Sequence, residues 1–163
     1  MNSTALFQQL EALFSKQLRA AKELGTILQN ENEALTKRNQ EEIQKLSPLK
    51  EAKTKEIETI GQNQAKILAK LGFSFSANAL DQLINAMPPE FSRQITQLRQ
   101  KLETILDTCQ QQNIVNGQII AVNRQTAEAA LAILRGQVSL GNLTYGATGQ
   151  AISEQSSNPI SKA

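Results

Sequence analysis

Apolar residues recur every three or four positions over most of the chain, which is the spacing of helices that pack against one another. In the first segment, two such rows run side by side from about residue 4 to residue 37. Two adjacent rows bring a helix into contact with two neighbours, so the pattern favours a three-helix arrangement over a simple two-stranded coil. The first row contains Phe7, Leu10, Phe14, Gln17, Ala21, Leu24, Leu28, Glu31 and Leu35, and the second contains Leu6, Leu13, Ala20, Ile27 and Ala34.

Two short sequences compete for the first turn. Asn39 is followed three residues later by Glu42, which is the form of a capping box, whereas Ser47-Pro48 offers a rival N-cap and first-turn proline. A turn at Asn39 gives arms of about 34 and 32 residues, each roughly 50 Å long, which pair end to end. A turn at Ser47 gives unequal arms. The sequence therefore predicts a second helix over about residues 40–71, kinked at Pro48.

The second helix carries Lys50 and Lys53 where its apolar row is expected. Such side chains usually lay their stems along the apolar surface and keep the ammonium group in water; binding of a partner is the alternative. Gly72 is expected to end the helix, because glycine adopts the left-handed terminating conformation at little cost.

A short helix and a long helix are expected next. Ser76 is the predicted N-cap of a helix over about residues 77–87, and Pro88-Pro89 ends that helix and starts the next one. The last helix is predicted over about residues 90–135. Its length would be near 70 Å against roughly 50 Å for the hairpin, so about a dozen residues at its end have no hairpin to pack on.

The end of this last helix is amphipathic. Asn116 and Asn123 lie within its apolar side, where polar residues usually fix the register against a partner helix and cost stability. Leaving large apolar side chains in water forgoes roughly 1.5 to 3 kcal/mol each. The segment must therefore fold back, pair with another copy or receive a partner. The apolar side comprises Ile119, Ile120, Ala127, Ala130, Leu131, Ile133 and Leu134.

The composition changes after Gly136, where glycine, serine and asparagine replace most charged residues. Residues 137–163 are therefore expected to form a flexible tail. Leu143 and Tyr145, the only tyrosine, lie in a small apolar stretch of that tail. A tyrosine on a mobile segment suits a docking motif; packing back onto the bundle is the alternative.

The amino-acid composition excludes several classes of function. The 163 residues are 40% apolar and 4% aromatic, which favours long helices over sheet. The chain has no histidine and one cysteine, so no disulfide, metal site, cofactor site or histidine-based catalysis is expected. The net charge of +2 is spread along the chain, which makes nucleic acid an unsuitable partner. No apolar run approaches the ~18 residues of a membrane span, so a cytoplasmic protein without membrane insertion is expected.

These features together predict an all-α protein: an elongated antiparallel three-helix coiled-coil bundle over residues 1–136, with a short extra helix and a flexible C-terminal tail. The helices are expected over about residues 4–37, 40–71, 77–87 and 90–135. No catalytic constellation is present, since Asp81, Glu90 and Asp107 are scattered, so the chain is not expected to be an enzyme.

Three short motifs near the C-terminus carry a family resemblance. The order N-G-x-I-I, A-L-A-I-L and T-Y-G-A-x-G resembles the C-terminal signature of the FlgN family of flagellar type III export chaperones, which are helical proteins that bind hook-filament junction proteins. The signature covers about a quarter of the chain. The matching positions are Asn116, Gly117, Ile119, Ile120, Ala130, Leu131, Ile133, Leu134, Tyr145, Gly146, Ala147 and Gly149.

The resemblance implies two binding sites. The end of the last helix would hold an amphipathic helix of a hook-filament junction protein, and Leu143, Tyr145 and Gly146 would dock the chaperone on the cytoplasmic domain of the export gate. A self-associating coiled-coil scaffold with no export role is the alternative. The implied substrate-binding residues are Asn116, Ile119, Ile120, Asn123, Ala127, Ala130, Leu131, Ile133 and Leu134.

Overall fold

The computed structural model describes residues 3–73 and 78–135, together with the backbone of two short strands. The chain divides into two compact units, Met1–Ile119 and Ile120–Ala163. The predicted all-α fold with three long helices and one short helix is confirmed. The helices are α1 (Ser3–Thr36), α2 (Gln40–Lys70), α3 (Ala79–Ala86) and α4 (Pro89–Leu134), and the strands are β1 (Leu143–Tyr145) and β2 (Ala151–Ser153).

The first turn lies where the capping box predicts it. The Asn39 side chain accepts a hydrogen bond from the backbone N–H of Glu42 at 3.2 Å, which satisfies a donor that the start of α2 leaves unpaired. Asn39 also donates its own N–H to the carbonyl of Ala34 at 2.8 Å, a bond typical of a helix C-terminus. Arg38, which precedes Asn39 in this turn, has a φ of 53°. Pro48, the rival turn position, lies inside α2.

Gly72 ends α2 as predicted, with a φ of 86°. Its N–H bonds the carbonyl of Ala69, and the N–H of Phe73 bonds the carbonyl of Leu68, both at 3.1 Å. This pair of bonds is the Schellman motif, in which a left-handed residue turns the chain out of the helix. The predicted cap at Ser76 and helix start at Ala77 lie outside the described residues, and α3 follows Asn78, which makes no side-chain capping bond.

The direction of α4 follows from its contacts with α1. The rings of Phe7 and Phe91 have centroids 5.7 Å apart, the Cys109 thiol reaches the carbonyl oxygen of Ala21 at 3.6 Å, and Asn116 contacts α1 further along still. Because the two residue numbers rise together, α4 runs parallel to α1. The α1–α2 hairpin is antiparallel, so α2 runs antiparallel to both.

The larger of two apolar clusters forms the core between these helices. Leu10 and Ile95 are completely buried in it, and Leu83 places α3 against the same cluster. Asp81 of α3 forms an ion pair with Arg99 of α4, which also pairs with Glu103. The other buried members of the core are Leu6, Phe7, Phe14, Leu18, Ala21, Ile67, Leu68, Met87 and Leu102.

The two lysines of the α2 row form ion pairs within the hairpin, which the sequence pattern does not predict. Lys50 Nζ donates to the buried Glu31 carboxylate at 2.7 Å. Lys53 bridges Glu23 and Glu56, and hydrogen bonds to these two carboxylates raise the pKa of Lys53. The hairpin brings acidic residues of α1 opposite these lysines, so ion pairs connect α1 and α2 at these two positions.

The tail contains one element that the sequence reasoning does not predict. Strands β1 and β2 pair antiparallel, with Leu143 opposite Ser153 and Tyr145 opposite Ala151. The remainder of the predicted flexible tail over residues 137–163, and the predicted stop at Gly136, lie outside the described residues.

Candidate functional site

Asn116 is the last buried residue of α4 and is 1% exposed. Its Nδ2 donates to the Leu28 carbonyl oxygen at 2.9 Å and to Glu31 Oε2 at 2.8 Å. Its Oδ1 accepts from Asn32 Nδ2 and from Gln112 Nε2, each at 3.0 Å. Both donors and both acceptor positions of the amide are thus filled. Asn116 joins α4 to α1 and has no free polar atom to offer a partner.

Glu31 is the charged member of this cluster and is 5% exposed. A carboxylate buried to this extent is costly unless it is paired and hydrogen-bonded. Lys50 supplies the opposite charge and Asn116 a further donor, so α1, α2 and α4 all contribute to one network. Such a network favours a single register of the three helices. If one helix shifted by a turn, the buried Glu31 carboxylate would lose its partners.

The buried side of α4 is a row of residues spaced by seven. Ile95, Leu102, Cys109 and Asn116 are all buried. Asn123 and Ala130 continue the spacing, yet Asn123 is half-buried and Ala130 is exposed. One side of one helix therefore changes from covered to uncovered after Asn116.

The remaining predicted substrate-binding residues lie on this uncovered stretch, which we name the C-terminal face. Ile120 is 47% exposed and Leu134 is 82% exposed, although both are side chains that protein cores usually bury. Ile119, Asn123 and Ile133 are half-buried, and Ala127 and Ala130 are exposed. The C-terminal face comprises Ile119, Ile120, Asn123, Ala127, Ala130, Leu131, Ile133 and Leu134.

Exposed apolar side chains are concentrated on this part of the protein. Of the seven large apolar residues that are exposed within the described chain, six lie between residues 114 and 134 of α4. Three of them were not predicted, namely Ile114, Val115 and Val122. At about 100° per residue, Val122 projects about 60° from Ile119, so it widens the C-terminal face. The sequence feature that identifies Val115 and Val122 is a second row, in which Val115, Val122 and Ala129 are spaced by seven.

The charges beside this face neutralise one another. Arg124 and Glu128 lie one helical turn apart and pair at 3.6 Å. Both are exposed, and an exposed pair of this kind contributes little to stability. The C-terminal face is therefore apolar and amide-bearing, and it presents neither a metal-binding nor an acid–base arrangement.

The predicted docking residues divide between described and undescribed positions. Leu143 and Tyr145 begin and end β1, and Tyr145 pairs with Ala151. Gly146 lies outside the described residues. The pairing of β1 with β2 brings the backbone of the predicted motif beside a second segment, Ala151–Ser153.

Reactive chemistry is not assembled in the part of the chain that the structure describes. Burial raises the pKa of the Cys109 thiol, so it stays protonated near neutral pH, where the thiolate is the reactive form. The described residues contain no group of acidic, cysteine or histidine side chains that could hold a metal ion. None of the described helices is long and apolar enough to cross a membrane.

Comparison with known proteins agrees with the all-α fold. A family model described as FlgN protein matches residues 1–152. A crystal structure of a Pseudomonas aeruginosa protein assigned as the flagella synthesis protein FlgN is similar, with 26% sequence identity and a TM-score of 0.61. That match covers 69% of this chain and 86% of the other. Among curated proteins, none matches the chain.

Proposed function

Because the chain belongs to the FlgN family, we propose that the C-terminal face of α4 binds an amphipathic helix of a hook-filament junction protein and that the tail delivers the complex to the export gate. Members of this family are flagellar export chaperones, and they are not enzymes. Their partners are hook-associated proteins. We place the binding step in the cytoplasm, where these chaperones act.

The concentration of exposed apolar side chains between residues 114 and 134 carries the proposal. The C-terminal face continues the same side of α4 that buries Ile95 and Leu102, so its side chains have the spacing that a helix needs to receive another helix. Ala127 and Ala130 lie in the middle of the face and leave room for large side chains of the client. Ile120, Leu131 and Leu134 surround them.

The size of the face suits a complex that must later come apart. Burying four large apolar side chains contributes roughly 6 to 12 kcal/mol, from which association subtracts at least ~4 kcal/mol. The remainder is at most about 8 kcal/mol, which corresponds to a micromolar or weaker affinity from the apolar contacts of this face alone. Asn123 limits the affinity further, since its amide must find a partner in the interface or lose hydrogen bonds to water.

The client site is tested by replacing Leu131 and Leu134 together with glutamine. We expect capture of purified hook-associated proteins to be lost, because two large contacts of the face become polar, while the helical circular dichroism signal is unchanged. Leu49→Gln is the matched control, since Leu49 is 54% exposed but lies on α2. Equal capture by the double variant and the control would remove the C-terminal face from the mechanism.

The docking step is tested at Tyr145 with the purified cytoplasmic domain of the gate. Tyr145→Ala is expected to weaken gate binding by about tenfold, the effect of losing one aromatic anchor, and to leave client binding unchanged. Tyr145→Phe keeps the ring and should retain most of the affinity. A titration that gives one affinity for all three proteins would exclude Tyr145 from docking.

A self-associating scaffold is the second candidate, because an exposed apolar face can also pair with its own copy. Sedimentation of the purified chain at low micromolar concentration separates the two functions. A monomer that forms a complex with a hook-associated protein supports the chaperone site. A stable dimer that does not respond to such a protein supports the scaffold.

A further inference from the structure

A second surface feature lies far along the chain from the C-terminal face, in the α1–α2 hairpin. It is an open groove of about 450 Å³ lined only by residues of these two helices. The apolar part of its lining consists of Ala12, Leu13 and Ile67. A volume of this size falls within the range of protein binding pockets. Because the groove is open and runs between two antiparallel helices, it suits an elongated ligand such as a helix.

Three lysines stand around this apolar strip: Lys16 from α1, and Lys66 and Lys70 from α2. None of the lining residues is acidic. Lys66 Nζ donates a hydrogen bond to the side-chain oxygen of Asn63 at 3.5 Å. The hydrogen bond from Lys53 lowers the pKa of the Glu56 carboxyl, and the charge of Lys16 lowers it further.

The groove lysines differ from those nearer the α1–α2 turn. In the turn half of the hairpin, four lysines each form a salt bridge with a glutamate. Among residues 3–73 and 78–135, the three groove lysines form none. The paired lysines are Lys37, Lys45, Lys50 and Lys53. The groove therefore combines an apolar strip with three lysines that form no salt bridge within the described chain.

We infer that this groove is a second docking surface, and that its partner is a protein presenting a short amphipathic helix with acidic residues beside its apolar row. The apolar row would lie on Leu13 and Ile67, and the acidic residues would meet the lysines on both sides. Lys66 and Lys70 are one helical turn apart and Lys16 faces them from the other helix, so the positive charge is distributed along the groove. A helix with acidic residues at intervals matches that distribution better than a single compact anion.

The inference is tested with two variants of the full chain that change the net charge equally. The first, K16E/K66E/K70E, reverses the groove lysines. The second, K22E/K55E/K101E, reverses three exposed lysines that do not line the groove and form no salt bridge in the described part of the chain. The probe is a fluorescent synthetic helix of about 18 residues with leucine every third or fourth position and glutamate beside it. A matched probe carries lysine in place of glutamate.

We expect the acidic probe to bind the unmodified protein and K22E/K55E/K101E with similar affinity, and to bind K16E/K66E/K70E at least about tenfold more weakly. Binding should weaken between about 50 mM and about 500 mM salt, because the charges involved are at the surface. The lysine probe should not bind. Fluorescence anisotropy measures all of these affinities, and circular dichroism checks that the variants remain helical.

Filling the groove without changing charge gives an independent readout. Ala12→Trp places a large ring in the apolar strip and should reduce binding of the acidic probe as strongly as K16E/K66E/K70E does. Undiminished binding to Ala12→Trp, equal binding to the two charge variants, or no binding to the unmodified protein would each overturn the inference.

Other occupants have their own signatures. Binding to vesicles of an anionic phospholipid that is lost in K16E/K66E/K70E, without binding of the acidic probe, would assign the groove to a lipid surface and overturn a protein partner. A dimer that K16E/K66E/K70E disperses would assign it to a second copy, with the same consequence. Capture of hook-associated proteins should be unchanged in every groove variant, so failure of this inference is separate from failure of the client site.

Discussion

The two halves of α4 carry one pattern in two different surroundings. From Ile95 to Asn116, every seventh residue is buried against the rest of the bundle. From Ile119 to Leu134, the same side of the helix leaves side chains such as Leu134 in contact with solvent. The amino-acid types are similar, since both stretches alternate isoleucine, leucine and small residues with polar ones. The difference lies in what covers them.

The two halves of α4 show that an amphipathic pattern identifies the apolar side of a helix but not the protein that covers it. Hydrophobic spacing identifies the side of a helix that is stabilised by leaving water, and it contains no information on whether the cover belongs to the same chain. In the first half of α4 the cover comes from α1, as the contact between Phe7 and Phe91 shows. In the second half we propose that it comes from a client.

The largest expected effect comes from truncating the same residue type in each half. Ile95→Ala should lower the free energy of unfolding by about 2 to 5 kcal/mol, because Ile95 is completely buried and a cavity would remain. Ile120→Ala should change it by less than about 1 kcal/mol, since Ile120 is half exposed. Urea unfolding of both variants measures the contrast, and equal losses would mean that the second half is covered within the chain.

The next effect concerns the two asparagines of the row. Asn116→Ala should destabilise the protein by about 2 to 3 kcal/mol, since it removes two donors and leaves the Leu28 carbonyl and the Glu31 carboxylate without them. Asn123→Ala, at the half-buried position one heptad later, should stay within about 0.5 kcal/mol. The same unfolding measurement applies, and an Asn116 variant as stable as the Asn123 variant would show that the network is dispensable.

The smallest effect lies at the boundary between the halves. Gly117 is exposed, sits inside α4, and has open space where a Cβ would be placed. Gly117→Ala should therefore raise the stability of the helix by about 0.5 to 1 kcal/mol. Slower amide hydrogen exchange over residues 118–134 would detect it. If exchange there is unchanged, the glycine does not weaken the second half.

Much of the fold could be predicted from the chain because it follows from local rules. Helix types, lengths and the turn at Asn39 depend on spacing, on capping residues and on the equal length of two arms. The ion pair between Glu31 and Lys50 does not follow from the spacing of either apolar row, because each row describes one helix alone. An antiparallel hairpin pairs residues at similar distances from its turn, so a turn at Asn39 already places these two opposite each other.

The spacing predicts which side of α4 is apolar, but it does not predict what surrounds each residue on that side. Asn116 and Asn123 share a row and a residue type, yet only Asn116 is enclosed. The reason is the Leu28 carbonyl and the Glu31 carboxylate, which lie about 85 positions earlier in the chain and have no signature next to Asn116. The pairing of β1 with β2 was missed for a related reason, since three-residue strands are too short to show an alternating pattern.

The parallel arrangement of α1 and α4 has a consequence for folding during translation. Contacts such as those of Asn32 and Ala21 with α4 join residues 84 to 88 positions apart, so they form only after most of the chain has left the ribosome. During synthesis, Leu10 and its neighbours in the α1–α2 hairpin stay uncovered until α4 has been made. At about 5 to 20 residues per second, the time between synthesis of the hairpin and synthesis of α4 is several seconds. A member of a chaperone family thus passes through a stage in which its own apolar helices are uncovered.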